Sequence, residues 1–174
     1  MAAAEFRVTS VRKTFNAPKV SVLGALRRIG DDVCAVLQDS KHITELAVYD
    51  SVDRTPYTKF VRFPRFLHVE KTVHMDVYNC FGAQNLPEAL DGSDVVVIAP
   101  EMRREWDLEK LLKTSRIVRN YAEAAANICP EAYVVVASDR VNSAVPIVAE
   151  VYKNNGVYDP KRIFGVHPKT SFLN

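Results

Sequence analysis

The chain has 174 residues, of which 48% are hydrophobic and 25% charged, with a formal net charge of +2. That length suits one domain with a sizeable core, and the composition excludes a disordered chain. The near-neutral charge leaves no nucleic-acid or membrane-surface footprint, and no apolar run nears the roughly 18 residues needed to span a bilayer.

The three cysteines, Cys34, Cys80 and Cys129, are widely spaced and form no CxxC pair. They read as reduced core thiols in a reducing compartment. The four histidines, His42, His68, His74 and His167, show no metal-ligand spacing, so no metal site is expected.

Residues 1–18 carry Arg7, Arg12 and Lys13 against one acid, Glu5, with hydroxyl residues and two phenylalanines between. This basic arm is presequence-like, which points to the mitochondrial matrix; the other reading is an arm held by a partner chain. Lys19 to Leu23 turns from alternating to apolar, as a central parallel strand does. Gly24 to Gly30 is a turn. Ile29 to Gln38 is a helix with Ile29, Val33 and Val36 or Leu37 on its sheet side, and Glu45 to Asp50 is the second strand. Asp53 to Glu70 is irregular and basic, broken by Pro56 and Pro64. Thr72 to Tyr78 alternates as a third strand, Leu86 to Leu90 is a short helix, and Asp94 to Ala99 is a fourth, buried strand.

Arg104 to Ile128 is a long helix with Leu111, Ser115, Val118, Ala122 and Ala125 as its core stripe. Cys129-Pro130 ends it. Ala132 to Ser138 is the fifth strand. Val145 to Asn155 is a helix stopped by Gly156 as a C′ glycine, and Arg162 to Val166 is the sixth strand. Strands alternate with helices throughout residues 19–174, so the class is α/β, a doubly wound, mainly parallel six-stranded sheet in a single domain. The run from Lys19 to Asp50, strand, glycine turn, helix, strand and terminal acid, has the form of the opening βαβ unit of a dinucleotide-binding domain. On that reading Gly24, Gly30 and Asp50 are the cofactor-binding candidates.

Several stretches resemble the lactate/malate dehydrogenase family, and its malate dehydrogenases in particular. They are VLGA at Val22, Asp50 after LAVY, LPEAL-DGSDVVVI from Leu86, IVRNYAEAAANICPEA from Ile117, and VNSAVPIVAEVYKNNGVYDPKRIFGV from Val141. The resemblance covers Lys19 to Val166. It implies a Rossmann fold with strand order 3-2-1-4-5-6 and, in an intact enzyme, an NAD site.

Against the family's pattern this chain departs at each chemical part. The family's turn is G-x-x-G-x-x-G; here Gly24 and Gly30 survive, but Arg27 stands at the middle glycine, with Arg28 after it. An arginine there leaves no room for backbone to meet pyrophosphate. The NAD site is then vestigial and the arginines face solvent or a partner; the alternative is that they bind an anion at the helix N-terminus. Asp50, 20 residues past Gly30, is placed for ribose hydroxyls. The substrate-clamp loop is shortened to Ala99–Trp106, where Arg103 aligns with one clamp arginine and Glu101 and Glu105 would repel a dicarboxylate. The substrate-binding asparagine of S-N-P-V-N is replaced by Asp139, followed by Arg140, both read as surface charge. Thr170 and Leu173 stand where the family has its L-D-x-x-R aspartate and arginine, and His167 reads as an ordinary loop residue. The catalytic second domain is expected to be absent.

These departures, together with buried strands that keep their pattern, lead to the expectation of no catalytic residues and no resident cofactor. NAD enters only if Gly24, Gly30 and Asp50 still bind it. The expected role is a structural or accessory subunit of a larger, mitochondrial protein assembly such as a respiratory complex, ATP synthase or ribosome. Its partners would be other protein subunits. The alternative is a residual nucleotide-binding domain, or one half of a hetero-oligomeric malate dehydrogenase.

Overall fold

A computed structural model describes residues 18–51, 76–100 and 108–167. Residues 1–17 of the basic arm, the segment around Pro56 and Pro64, the expected start of the third strand at Thr72, the clamp loop from Glu101 with Arg103, the expected start of the long helix at Arg104, and Thr170 with Leu173 lie outside the described residues. Six strands form one parallel sheet: β1 (Lys19–Leu23), β2 (Glu45–Asp50), β3 (Asp76–Phe81), β4 (Val95–Ile98), β5 (Tyr133–Ala137) and β6 (Ile163–Val166). Their order is β3-β2-β1-β4-β5-β6, as the resemblance implies. The helices are α1 (Arg28–Gln38), α2 (Leu86–Leu90), α3 (Leu108–Ile128) and α4 (Val141–Asn154).

Side chains alternate across the pleat, and the two faces carry separate cores. Val20, Val22, Leu46, Val48 and Val97 pack with Ile29 and Cys34 of α1. Leu23, Ala47, Tyr49, Val96, Ile98, Val134 and Val136 pack with α2, α3 and α4 on the other face. In α3 the buried stripe is Val118, Tyr121, Ala122, Ala125 and Ala126, while Leu111 and Ser115 are half-buried. The small side chains let α3 lie close to the sheet. In α1, Leu37 and not Val36 faces the sheet; Val36 is exposed.

Among the described residues, most element boundaries lie within one residue of the sequence reading, and two differ by more. β3 ends at Phe81, three residues beyond Tyr78, because it pairs in register with the whole of β2, through Asp50 opposite Phe81. Helix α4 starts at Val141, a full turn before Val145, and carries Pro146 inside. Pro146 deprives the helix of one ladder bond. Contact with β6 holds the early turn in place: a Cβ on Gly165 would meet Val141 Cγ2 at 2.5 Å and Val145 Cγ2 at 2.9 Å. At the other end Gly156, at φ +71°, closes α4 as expected. Its N–H donates to the Lys153 carbonyl and that of Val157 to the Tyr152 carbonyl, both 3.0 Å. This 5→2 and 6→1 pair is a Schellman closure.

All three cysteines are unpaired and buried. Burial pushes each thiol up, reinforced at Cys34 by Asp31, and Cys129 reaches about 11 from an ordinary 9.0. Between pH 9.0 and about 11 the unfolded chain therefore releases this proton while the folded chain keeps it. Stability must fall across that window. Native protein is expected to leave these thiols unmodified by a disulfide reagent at about pH 8, whereas the unfolded chain reacts at every one. Titration with the reagent, with and without guanidinium, checks this.

Candidate functional site

The carboxyl ends of all six strands lie along one edge of the sheet, where open α/β folds bind their ligands. β1 leads at this edge into Gly24, whose φ of +86° suits glycine. A Cβ there would come within 2.6 Å of the Ala99 carbonyl oxygen, just past β4. The N–H groups of Gly24 and Ala25 both donate to the Tyr49 carbonyl, at 2.9 and 3.0 Å. The turn is thus pinned between β2 and β4. Gly30 lies in the first turn of α1, where an added Cβ would sit 2.2 Å from the Gly24 carbonyl oxygen. It lets the helix close onto the turn, as the last glycine of a dinucleotide fingerprint does.

Asp50 is the last residue of β2 and only 1% exposed. Its Oδ2 accepts the Leu26 N–H at 3.3 Å and lies 3.7 Å from Nε of Arg27. Arg27 is the N-cap of α1, in an extended conformation, and its side chain makes no capping bond. An N-cap side chain ordinarily accepts from the helix's first N–H groups; this one reaches to Asp50 instead. Arg28 goes the other way. Its Nη2 donates to Asp139 Oδ2 at 3.1 Å. Asp139 follows β5 and the buried Ser138, whose Oγ accepts the Arg140 N–H and whose own N–H donates to the Val166 carbonyl.

Strand order explains this fork. β1 sits between β2 and β4, with β5 beyond β4. Two consecutive arginines after β1 therefore reach acids at the ends of β2 and β5, so their ion pairs run along the carboxyl edge on both sides of the turn. A dinucleotide laid in this crevice would need the same edge: backbone at the turn for its pyrophosphate and the β2 acid for its ribose. Gly24, Gly30 and Asp50 keep the places that NAD requires. Arg27 departs from them: it stands where the family's turn has glycine, and its Nε lies 3.7 Å from the Asp50 carboxylate that a ribose would meet.

The structure brings all three sequence-predicted residues together at one turn. It also changes the reading of their neighbours. Arg27 and Arg28 are not simply turned to solvent; both guanidinium groups are paired within the fold. Asp139 is not idle surface charge but the far end of the Arg28 bridge. These pairings could have been found from sequence by asking which opposite charges the strand order gathers at one edge. His167 is exposed, as a loop residue would be. Among the described residues no cluster of three metal-ligating side chains occurs and no helix is long and apolar enough to cross a membrane.

Residues 18–165 match the model of the lactate/malate dehydrogenase NAD-binding domain. The chain is 38% identical to mitochondrial malate dehydrogenase of Rattus norvegicus over 154 residues, which is 87% of this chain and 44% of the relative. It is 36% identical to that of Caenorhabditis elegans over 163 residues, covering 92% and 46%. The chain thus spans somewhat under half the length of these relatives. Among solved structures, malate dehydrogenase of Picrophilus torridus superposes with a TM-score of 0.62 at 24% identity, covering 86% of this chain and 45% of that one. Lactate dehydrogenase of Eimeria maxima, solved with NADH and oxamate, gives 0.63 at 19% identity, covering 88% and 45%. These two establish the fold. With the family match over most of its length, the chain belongs to the lactate/malate dehydrogenase family, through that family's NAD-binding domain.

Proposed function

We propose that this chain is a malate-dehydrogenase-like domain that serves as a non-catalytic, structural or accessory subunit of a larger mitochondrial protein assembly. The observation that carries this reading is the Arg27–Asp50 pair, with Arg27 at the position where the family's turn has glycine. A protein that depended on NAD would keep that position open.

Two further features support it. The strand alternation places Tyr133, Phe164 and Val166 on the α1 face of the sheet at its β5–β6 end, through the pairings Tyr133–Val95, Phe164–Val135 and Val166–Ala137. No described helix packs over this end, and the three are 50%, 46% and 48% exposed. Adjacent exposed apolar side chains of this size suit a protein contact. The mitochondrial setting rests on the mitochondrial relatives and on the basic arm.

A second reading has its own support. Gly24, Gly30 and Asp50 keep their geometry, which favours a residual nucleotide site or one half of a hetero-oligomeric dehydrogenase. Native electrophoresis of mitochondrial extract, probed for this chain, separates the two when paired with an activity stain. The accessory role predicts migration in a particle far larger than the 19.5 kDa of the chain, with no oxaloacetate-dependent oxidation of NADH in that band. Migration as a free 19.5 kDa monomer would sink the accessory role, and activity in the band would favour the second reading.

A further inference from the structure

The Arg27 side chain acts, we propose, as a built-in ligand of the cleft: the nucleotide site is self-occupied and not dismantled, and removing Arg27 reopens it to a dinucleotide. This rests on the reading above, that the wild-type domain takes no cofactor.

The inference comes from what is preserved around the blocking group. Losing a ligand normally frees the residues that held it. Here the left-handed Gly24, the Gly30 contact with the turn and the nearly buried Asp50 all remain. A buried carboxylate without a partner is costly, so an abandoned Asp50 would need a new counter-group. Among the groups that meet Asp50 here are the Leu26 N–H and the Arg27 guanidinium. The first belongs to the turn itself. The second reaches into the place that a ribose diol takes in a dinucleotide-binding fold.

Arg28 strengthens the occupation. Its bridge to Asp139 ties residues 111 apart in sequence and crosses the end of β4. The paired arginines thus hold the β1–α1 turn to the strands on both sides, a task that a bound dinucleotide would perform in a liganded domain. Nothing in the backbone demands arginine at position 27. Its φ of −94° and ψ of 157° are open to any residue, and serine there would supply the missing N-cap acceptor.

The test is a titration of NADH, followed by nicotinamide fluorescence, into wild-type protein, Arg27→Ser, Arg27→Gly and the control Arg119→Ser. Arg119 pairs with Glu123 on the exposed face of α3, far from the turn in sequence, so its loss removes the same charge without touching the cleft. Arg27→Ser and Arg27→Gly are each expected to bind NADH about tenfold or more tightly than wild type, because the competing internal state is gone. Arg119→Ser should match wild type. Circular dichroism melts establish that each variant is folded, and the capping serine keeps the test open if the glycine variant is unstable. If folded Arg27→Ser binds no better than wild type, and wild type does not bind, self-occupation is wrong while the reading of a cofactor-free domain stands. If wild type already binds as tightly as Arg27→Ser, both fail.

Discussion

Gly30→Ala should destabilise the protein by about 3 kcal/mol or more, lowering its melting temperature by roughly 6–12 °C. The new methyl would stand 2.2 Å from the Gly24 carbonyl oxygen, 2.7 Å from the Ala25 Cα and 2.9 Å from the Gly24 carbonyl carbon. All three are backbone atoms, so no side chain can swing away. Gly24 cannot retreat either, because its N–H is bonded to β2 and its Cα faces the Ala99 carbonyl. Helix α1 must lift off the turn, loosening Ile29 and Cys34 from the core beneath. The same substitution at an unconstrained helix position would stabilise, since alanine is favoured over glycine there by about 1 kcal/mol. A thermal melt therefore reads the sign of the effect as well as its size.

Tyr49→Ala is expected to cost about 3–5 kcal/mol, as for other buried aromatic truncations. Tyr49 is 1% exposed near the carboxyl end of β2, in the core shared with α2, α3 and α4. Its ring and that of Tyr121 from α3 form a T-shaped pair, with centroids 5.7 Å apart and planes at 82°. Burial holds the Tyr121 hydroxyl up at about 12, with Asp50 adding to the effect. The Tyr49 carbonyl also receives the two N–H bonds that shape the glycine turn. Loss of the ring thus weakens the sheet–α3 contact directly beside Asp50. A double-mutant cycle with Tyr121→Ala should return a coupling of about 0.5–1.5 kcal/mol for the edge-to-face pair. Chemical denaturation of the four proteins measures it.

Much of this fold was legible because its signals are local. DVVVIA before a proline and AYVVVAS after one can hardly be anything but buried strands, and the alternation of strands with helices leaves few topologies open. The start of α4 was not legible. Pro146 after Val145 is a strong helix-start signal, and only the close seat of Val141 and Val145 against Gly165 of β6 shows why the helix begins earlier. The end of β3 was missed for a related reason: pairing with β2, a partner distant in sequence, sets it. At the site, Gly24, Gly30 and Asp50 were found from spacing alone. The arginine pairs were not, because an ion pair between residues 28 and 139 exists only once β1, β4 and β5 lie side by side. Asp139 seen by itself looks like any surface acid.

The chain's own Arg27, we propose, holds the cleft of this NAD-binding-type domain closed. Titrating the wild-type protein with NADH to millimolar concentration, while following nicotinamide emission, tests it most directly. No saturable change is the predicted result. A saturable blue-shifted emission at micromolar cofactor would show that Arg27 yields its place, and would contradict the account.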